Sequence, residues 1–352
     1  MRIALKGLSP FKRFASGILI TFSSLHPDLK SPLLLPASNI EINMASPLKS
    51  NYIKALAHFG AFITAAAWGS SFLSTKVLMT QAGFSPIEMY VYRFALAYLI
   101  LLVFTFRKFF ANDWRDELQL ALCGICAGSL YFITENYALK YTSTGNVSLL
   151  ASISPLFTAA IMALVFRQKV KPAVIIGSVI AFCGVTCVIF SDGSGFHINP
   201  KGDLLAICAS LSWAIYALAA KRLIPIYSGM FITRKLFFYG VVSALPLLFW
   251  QHAVSDTPYH LHLLFSLSHP EYILNFLFLA IFCSLLAYIV WNGAMGVLGP
   301  IVTNNYLYFQ PLVTIVAAYF VLGEPIYPLT YVGCTLIIGG LILADKLKIG
   351  KE

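Results

Sequence analysis

Ten stretches of this chain are long and apolar enough to cross a bilayer, and that one feature limits the fold more than any other. They run over residues 56–79, 86–106, 118–139, 142–165, 172–190, 203–223, 229–250, 272–297, 300–322 and 328–345. A hydrocarbon core of about 30 Å needs roughly 20 apolar residues per helix. Inside it every backbone N–H and C=O must be paired within the protein, so spanning segments of this length are helices. Only 11% of the 352 residues are charged and mean hydropathy is +0.80. A soluble domain carries about 25% charged residues, which excludes a globular cytosolic enzyme. The expected class is all-α, a polytopic integral membrane protein.

The net charge of +10 resembles a nucleic-acid signal until the charges are placed. With the N-terminus inside, the cytoplasmic segments collect Lys49, Lys54, Arg107, Lys108, Arg115, Arg167, Lys169, Lys171, Lys221, Arg222, Arg234, Lys235, Lys346, Lys348 and Lys351. The other side holds Lys76, Lys140 and Lys201. Short loops rich in Lys and Arg stay in the cytoplasm, so both termini are expected there. The positive balance reports orientation, and no nucleic-acid partner is implied. The seven cysteines all fall inside spans. Cys123 and Cys126 form a lone C-x-x-C, short of the four ligands of a structural zinc site.

Four parts are expected along the chain. Residues 1–50 form an N-terminal extension read as disordered, with "MASPLKSNYIK" from Met44 a natural beginning; its basic, Ser-rich start also fits a signal or transit peptide. Residues 55–190 and 203–345 form two five-helix repeats, and 346–352 a basic tail. At an offset of 156, Asn136 meets Asn292, Pro155 meets Pro311, Thr158 meets Thr314, Gly177 meets Gly333 and Gly184 meets Gly340. At 145, Trp68 and Lys76 meet Trp213 and Lys221, and at 141 Arg93 meets Arg234. Five helices per copy is an odd number, so the second copy enters the membrane from the opposite face. Inverted repeats of this kind are a carrier architecture, with the substrate near mid-membrane between the halves.

The stretches "WGSSFLSTK", "PIEMYVYRFALAYLILLV", "ALKYTSTGNVSLLASISPLFTAAIMAL", its echo "NNYLYFQPLVTIVAAYFVLGE", and "GCTLIIGGLIL" resemble the EamA-type branch of the drug/metabolite transporter superfamily over about residues 55–345. The resemblance implies ten helices and export of a small metabolite. It also implies a bacterial cytoplasmic membrane as the location. Gly323-Glu324 after the ninth helix matches the family's pattern, whereas the first half has Arg167-Gln168 there.

Charges inside a span cost about 2.5–3.5 kcal/mol on insertion scales and usually face a cavity or a partner. Glu135 and Arg93 lie at similar depths below one face, so they are candidates for a fixed ion pair, unless Glu135 is close enough to the interface to stay wet. Alternatively, Glu135 binds a cationic group of the substrate or takes up a proton. Trp291 occupies the position equivalent to Glu135. Asn304 and Tyr308, spaced i, i+4 and hence on one helix face, map onto Ser148 and Ser152, a polar seam that suits a shared cavity or ordinary interhelical bonding. Trp68 and Trp213, with Tyr131, Tyr216 and Tyr288, sit inside spans, where they either pack or stack on a ligand.

The substrate-binding candidates are therefore Glu135, Arg93, Trp68, Ser148, Ser152, Trp213, Trp291, Asn304 and Tyr308. Pro155 and Pro311 are expected to kink the fourth and ninth helices. The loop 251–271 holds four of the seven histidines, read as a surface loop rather than a metal site. No cofactor and no metal are expected. The leading function is secondary active transport of a small molecule, coupled to a proton or running by exchange. No G-x-x-x-x-G-K-[ST] loop is present to drive it by ATP. The competing classes are a membrane-embedded enzyme and a channel or receptor.

Overall fold

The computed structural model describes residues 47–346, apart from 142–143, 168–169, 192–198, 256–258, 267 and 323–325. The expected N-terminal extension before residue 47, the tail after 346 and the Gly323-Glu324 pair lie outside the described residues. All regular structure among the described residues is helical. The helices are α1 (Pro47–Thr80), α2 (Pro86–Thr105), α3 (Trp114–Gly124), α4 (Tyr131–Tyr141), α5 (Thr144–Ala151), α6 (Ser154–Leu164) and α7 (Pro172–Ile189). The second half follows with α8 (Pro200–Leu223), α9 (Gly229–Ser255), α10 (Pro270–Leu277), α11 (Ala287–Leu298), α12 (Pro300–Asn305), α13 (Gln310–Leu322) and α14 (Pro328–Lys346).

Proline opens many of these helices, where its missing N–H costs nothing and its φ is already helical. At the start of α2, Ser85 accepts from the Glu88 N–H while Glu88 accepts from the Ser85 N–H, a complete capping box. Asp113 and Asn199 cap α3 and α8.

Among the described residues, seven helices are long and apolar enough to cross a membrane, and Leu149–Leu164 and Pro328–Ala344 are shorter apolar ones. The ten expected spans are not all continuous, because the fourth and ninth break at matched places. The fourth divides at 152–153, before Pro155, into α5 and α6. The ninth passes through a 3-10 turn at Tyr306–Phe309 between α12 and α13, before Pro311. Proline cannot supply the helical N–H and its ring crowds the preceding turn, so both copies break where the same residue recurs. The third and eighth spans share another irregularity. Ile125–Leu130 joins α3 to α4, and Phe278–Leu286 joins α10 to α11, as π-helix.

The close pairing of α7 with α14 shows how the halves are related. A Cβ on Gly184 would lie 2.7 Å from the Gly333 carbonyl oxygen, and one on Gly333 would lie 2.6 Å from the Gly184 oxygen. Gly177 and Gly340 approach each other in the same way. Gly184 thus faces the repeat equivalent of Gly177, and Gly177 that of Gly184, with numbering rising along one helix and falling along the other. An antiparallel pair about a two-fold axis gives that pattern, so the repeats are inverted. Small residues let backbones touch where lipid offers no hydrophobic drive for helices to associate.

Candidate functional site

A cavity of about 490 Å³ opens between the halves. Its α1 wall runs from Trp68 at mid-helix to Thr80 at the helix end, and its α13 wall from Gln310 to Ala317. The cavity therefore extends from mid-span toward the face that carries the turn before Glu88. We call this the Glu88 face, and the opposite one, at the start of α3, the Asp116 face.

The inner end is aromatic. Trp68 and Trp213 meet edge to face with ring centroids 5.2 Å apart, Trp68 lies 5.5 Å from Tyr288, and Tyr131 lies 5.2 Å from Trp213. The π segments help to hold this box. Trp68 Nε1 donates to the Cys283 carbonyl at 2.7 Å, and Tyr288 Oη donates to the Ala127 carbonyl at 2.9 Å. Both carbonyls belong to residues of π-helix, a geometry that recurs at functional sites.

Two charges share the cavity without forming a contact ion pair. Glu135 is 5% exposed and its Oε1 accepts from Tyr131 Oη at 2.7 Å. Arg93, also 5% exposed, donates from Nε to Ser284 Oγ at 2.5 Å, and its guanidinium lies 5.0 Å from the Phe94 ring centroid and 5.2 Å from that of Phe132. Among the described residues, neither carries a salt bridge within 4.0 Å.

Glu135, Arg93, Trp68 and Trp213 line this space together; Trp291, Asn304, Tyr308 and Ser152 lie elsewhere. Trp291 is fully buried behind Trp68, centroids 4.9 Å apart, with no hydrogen-bond partner for its indole N–H. Asn304 stands behind Trp213. It accepts from Trp213 Nε1 at 3.3 Å and donates to Thr158 Oγ1 at 2.8 Å, and Thr158 in turn donates to the Ser154 carbonyl at 3.0 Å. Tyr308 is wholly buried beside Leu149, Ala181 and Ile337, and Ser152 is buried at the break between α5 and α6. The side chain of Ser148 lies outside the described residues.

Sequence reasoning missed three contributions. Tyr131 was read only as an aromatic inside a span, and its bond to Glu135 one turn on was legible from the i, i+4 spacing. Ser284 meets Arg93 only through the inversion, and nothing local announces it. The third contribution is the closure of the Asp116 face. Arg222 Nη2 meets Asp116 Oδ1 at 3.1 Å, and Tyr227 Oη donates to Asp116 Oδ2 at 2.7 Å while accepting from the Asn112 N–H at 2.8 Å. Glu117 takes Lys235 and Tyr239, and Arg234 donates to the carbonyls of Thr105, Lys108 and Phe109. Burial, and then the bond to Asp116, push the Tyr227 phenol above its ordinary value of 10, so it remains a donor at neutral pH.

The profile of the EamA-like transporter family matches this chain twice, over residues 55–190 and 200–344. The chain belongs to that family. As an EamA-like protein it is a multi-pass membrane transporter, and its relatives carry transport names. It is 27% identical over 294 residues to an uncharacterized transporter of Archaeoglobus fulgidus, covering 81% of this chain and 96% of that one. It is 27% identical to a probable terminal-alkyne amino-acid exporter of Streptantibioticus cattleyicolor, covering 68% of this chain and 76% of the relative. A probable amino-acid metabolite efflux pump of Salmonella typhimurium is 24% identical over 81% of this chain and 93% of its own. One crystal structure shares the EamA-like fold at a TM-score of 0.65 and 17% identity, covering 83% of this chain and 96% of that one.

Proposed function

We propose that this transporter exports a small amphipathic metabolite bearing an amine, such as an amino acid, by rocking its two inverted halves about the central cavity. The observation that carries the reading is the pair of opposite charges, Glu135 and Arg93, lining one aromatic cavity without a direct bond between them. A buried charge left uncompensated is costly. A ligand carrying the complementary groups pairs both charges, and the names of two relatives point to the same class of compound. In this reading Glu135 receives the substrate's ammonium group or a coupling proton, and the Trp68–Trp213–Tyr288 box holds its apolar part. The protein sits with both termini in the cytoplasm of a bacterial cell, so the open Glu88 face is external and the tied Asp116 face is internal.

The test is proton flux in proteoliposomes carrying a pH gradient, with pools of amino acids added to wild type and to Glu135→Gln. Flux triggered by one pool and lost in the variant is the expected result. A triggered flux that survives the variant removes Glu135 from the mechanism and leaves a carrier with a structural acid.

A further inference from the structure

A second ionisable cluster lies outside the cavity, on the Glu88 face. Glu88 is fully buried at the first turn of α2, yet its carboxylate is surrounded by donors. It accepts from the Ser85 N–H at 2.9 Å, the His260 N–H at 2.9 Å, His260 Nδ1 at 3.0 Å and Tyr92 Oη at 3.4 Å. His252 Nε2, from the last turn of α9, lies 3.7 Å from Glu88 Oε1. The His252 ring packs on Tyr259 with centroids 3.8 Å apart, and the His260 ring lies 5.8 Å from that of Phe84. One carboxylate thus joins three pieces of chain: the start of α2, the end of α9 and the connection that follows it. Leu264, 1% exposed, anchors that connection in the core.

We propose that Glu88, His252 and His260 form a proton-operated clasp that fastens the connection at 259–265 to the mouth of the cavity. The titratable groups that face the carboxylate are Tyr92 from α2, His252 from α9, and Tyr259 and His260 from the connection. Of these side-chain types, only imidazole ordinarily changes charge between pH 5 and 8. A proton taken up by either histidine places a cation beside a buried anion, where attraction is far less screened than in water. The clasp therefore tightens as the Glu88 face is acidified and loosens toward neutral and alkaline pH. Its position couples it to the site, because Met89, Tyr90 and Arg93 on the following residues of α2 line the cavity. At the other end of the same helix pair the tie is of another kind: Arg234 donates to the carbonyls of Thr105 and Lys108, and an arginine keeps its charge throughout.

The test reads no transport, so its result is independent of substrate identity. Hydrogen exchange of residues 259–265 is measured in the full chain at pH 5.5 and 7.5, corrected for the intrinsic chemical rate, so that protection reports the closed fraction. The proposal expects about tenfold greater protection at pH 5.5, equivalent to one unit of proton linkage. The difference should vanish in the His252→Gln/His260→Gln double variant and persist in His262→Gln, whose exposed ring bonds the Tyr259 carbonyl instead. Equal protection at both pH values in the wild type, or a difference that survives in the double variant, overturns the proposal.

Discussion

The two halves of this transporter share their backbone irregularities and differ in what they hang on them. Each has a π segment in its third helix and a break in its fourth, at positions related by the repeat. At the equivalent place after the π segment, one half carries Glu135 against the cavity and the other Trp291 in the core. The equivalent arginines diverge as well. Arg93 turns into the cavity and bonds Ser284, whereas Arg234 is consumed by carbonyls at the Asp116 face. Duplication has supplied a repeated scaffold, and in the proposed reading substitution confines the chemistry to one copy. A second acid at the equivalent place would double the cost of burying charge, and the tryptophan there packs in the core behind Trp68 instead.

The most damaging change to this asymmetry is at Glu135. Glu135→Gln should weaken substrate binding by about 2–5 kcal/mol, the cost of removing one partner of a buried charge contact, and Trp291→Phe should leave binding within a few-fold of wild type. Quenching of Trp68 and Trp213 fluorescence on titrating candidate substrates compares the two; equal losses at both positions would erase the distinction between the halves. Arg93→Gln removes a charged hydrogen bond to Ser284 worth about 1.5–3 kcal/mol, together with the cavity's positive charge. The same titration should show roughly a tenfold loss of affinity, with Arg93→Lys intermediate because lysine keeps the charge but loses the planar fork.

The scaffold itself is tested at the α7–α14 contact. Gly184→Ala puts a Cβ 2.7 Å from the Gly333 carbonyl oxygen, an overpacking that should cost about 1–3 kcal/mol, seen as a lower melting temperature in detergent. Gly339, beside which a Cβ would meet nothing within 4 Å, should accept alanine with little change. The smallest effect is expected at Tyr227. Tyr227→Phe removes one donor from Asp116 and should cost about 1 kcal/mol. Its raised phenol means that the tie at Asp116 should hold with no change between pH 6 and 9, which thermal unfolding across that range would check.

Much of this arrangement was legible in the amino-acid sequence, for identifiable reasons. Apolar length exposed the spans, because bilayer thickness imposes it on every helix. The matched Pro155/Pro311 and Gly177/Gly333 pairs exposed the repeat, because broken helices and close crossings tolerate few residues. Glu135 stood out as an acid among apolar neighbours. What the sequence hid was long-range pairing. Arg93 was expected to face Glu135 from similar depth, yet its Nε goes to Ser284, 191 positions away. Asn304 reads as a cavity residue from its face, but it braces Trp213 from behind. Glu88 drew no reading from the sequence, since the histidines that meet it lie on the last turn of α9 and in the connection after it, His260 being 172 positions further along.

The central claim is that one cavity opens alternately to two faces, and solvent access to its wall tests this most directly. Thr75 lines the cavity on α1. With the native cysteines replaced, Thr75→Cys in oriented vesicles should react with a charged thiol reagent from the Glu88 face and be protected from the Asp116 face. Adding Asp116→Asn and Glu117→Gln, which release the opposite ties, should slow the first reaction. The same change should make a cysteine at Ala217, on the α8 segment now packed in the core, reactive from the Asp116 face. Reaction at Thr75→Cys from both faces at once, with the ties intact, would describe a channel and contradict the account.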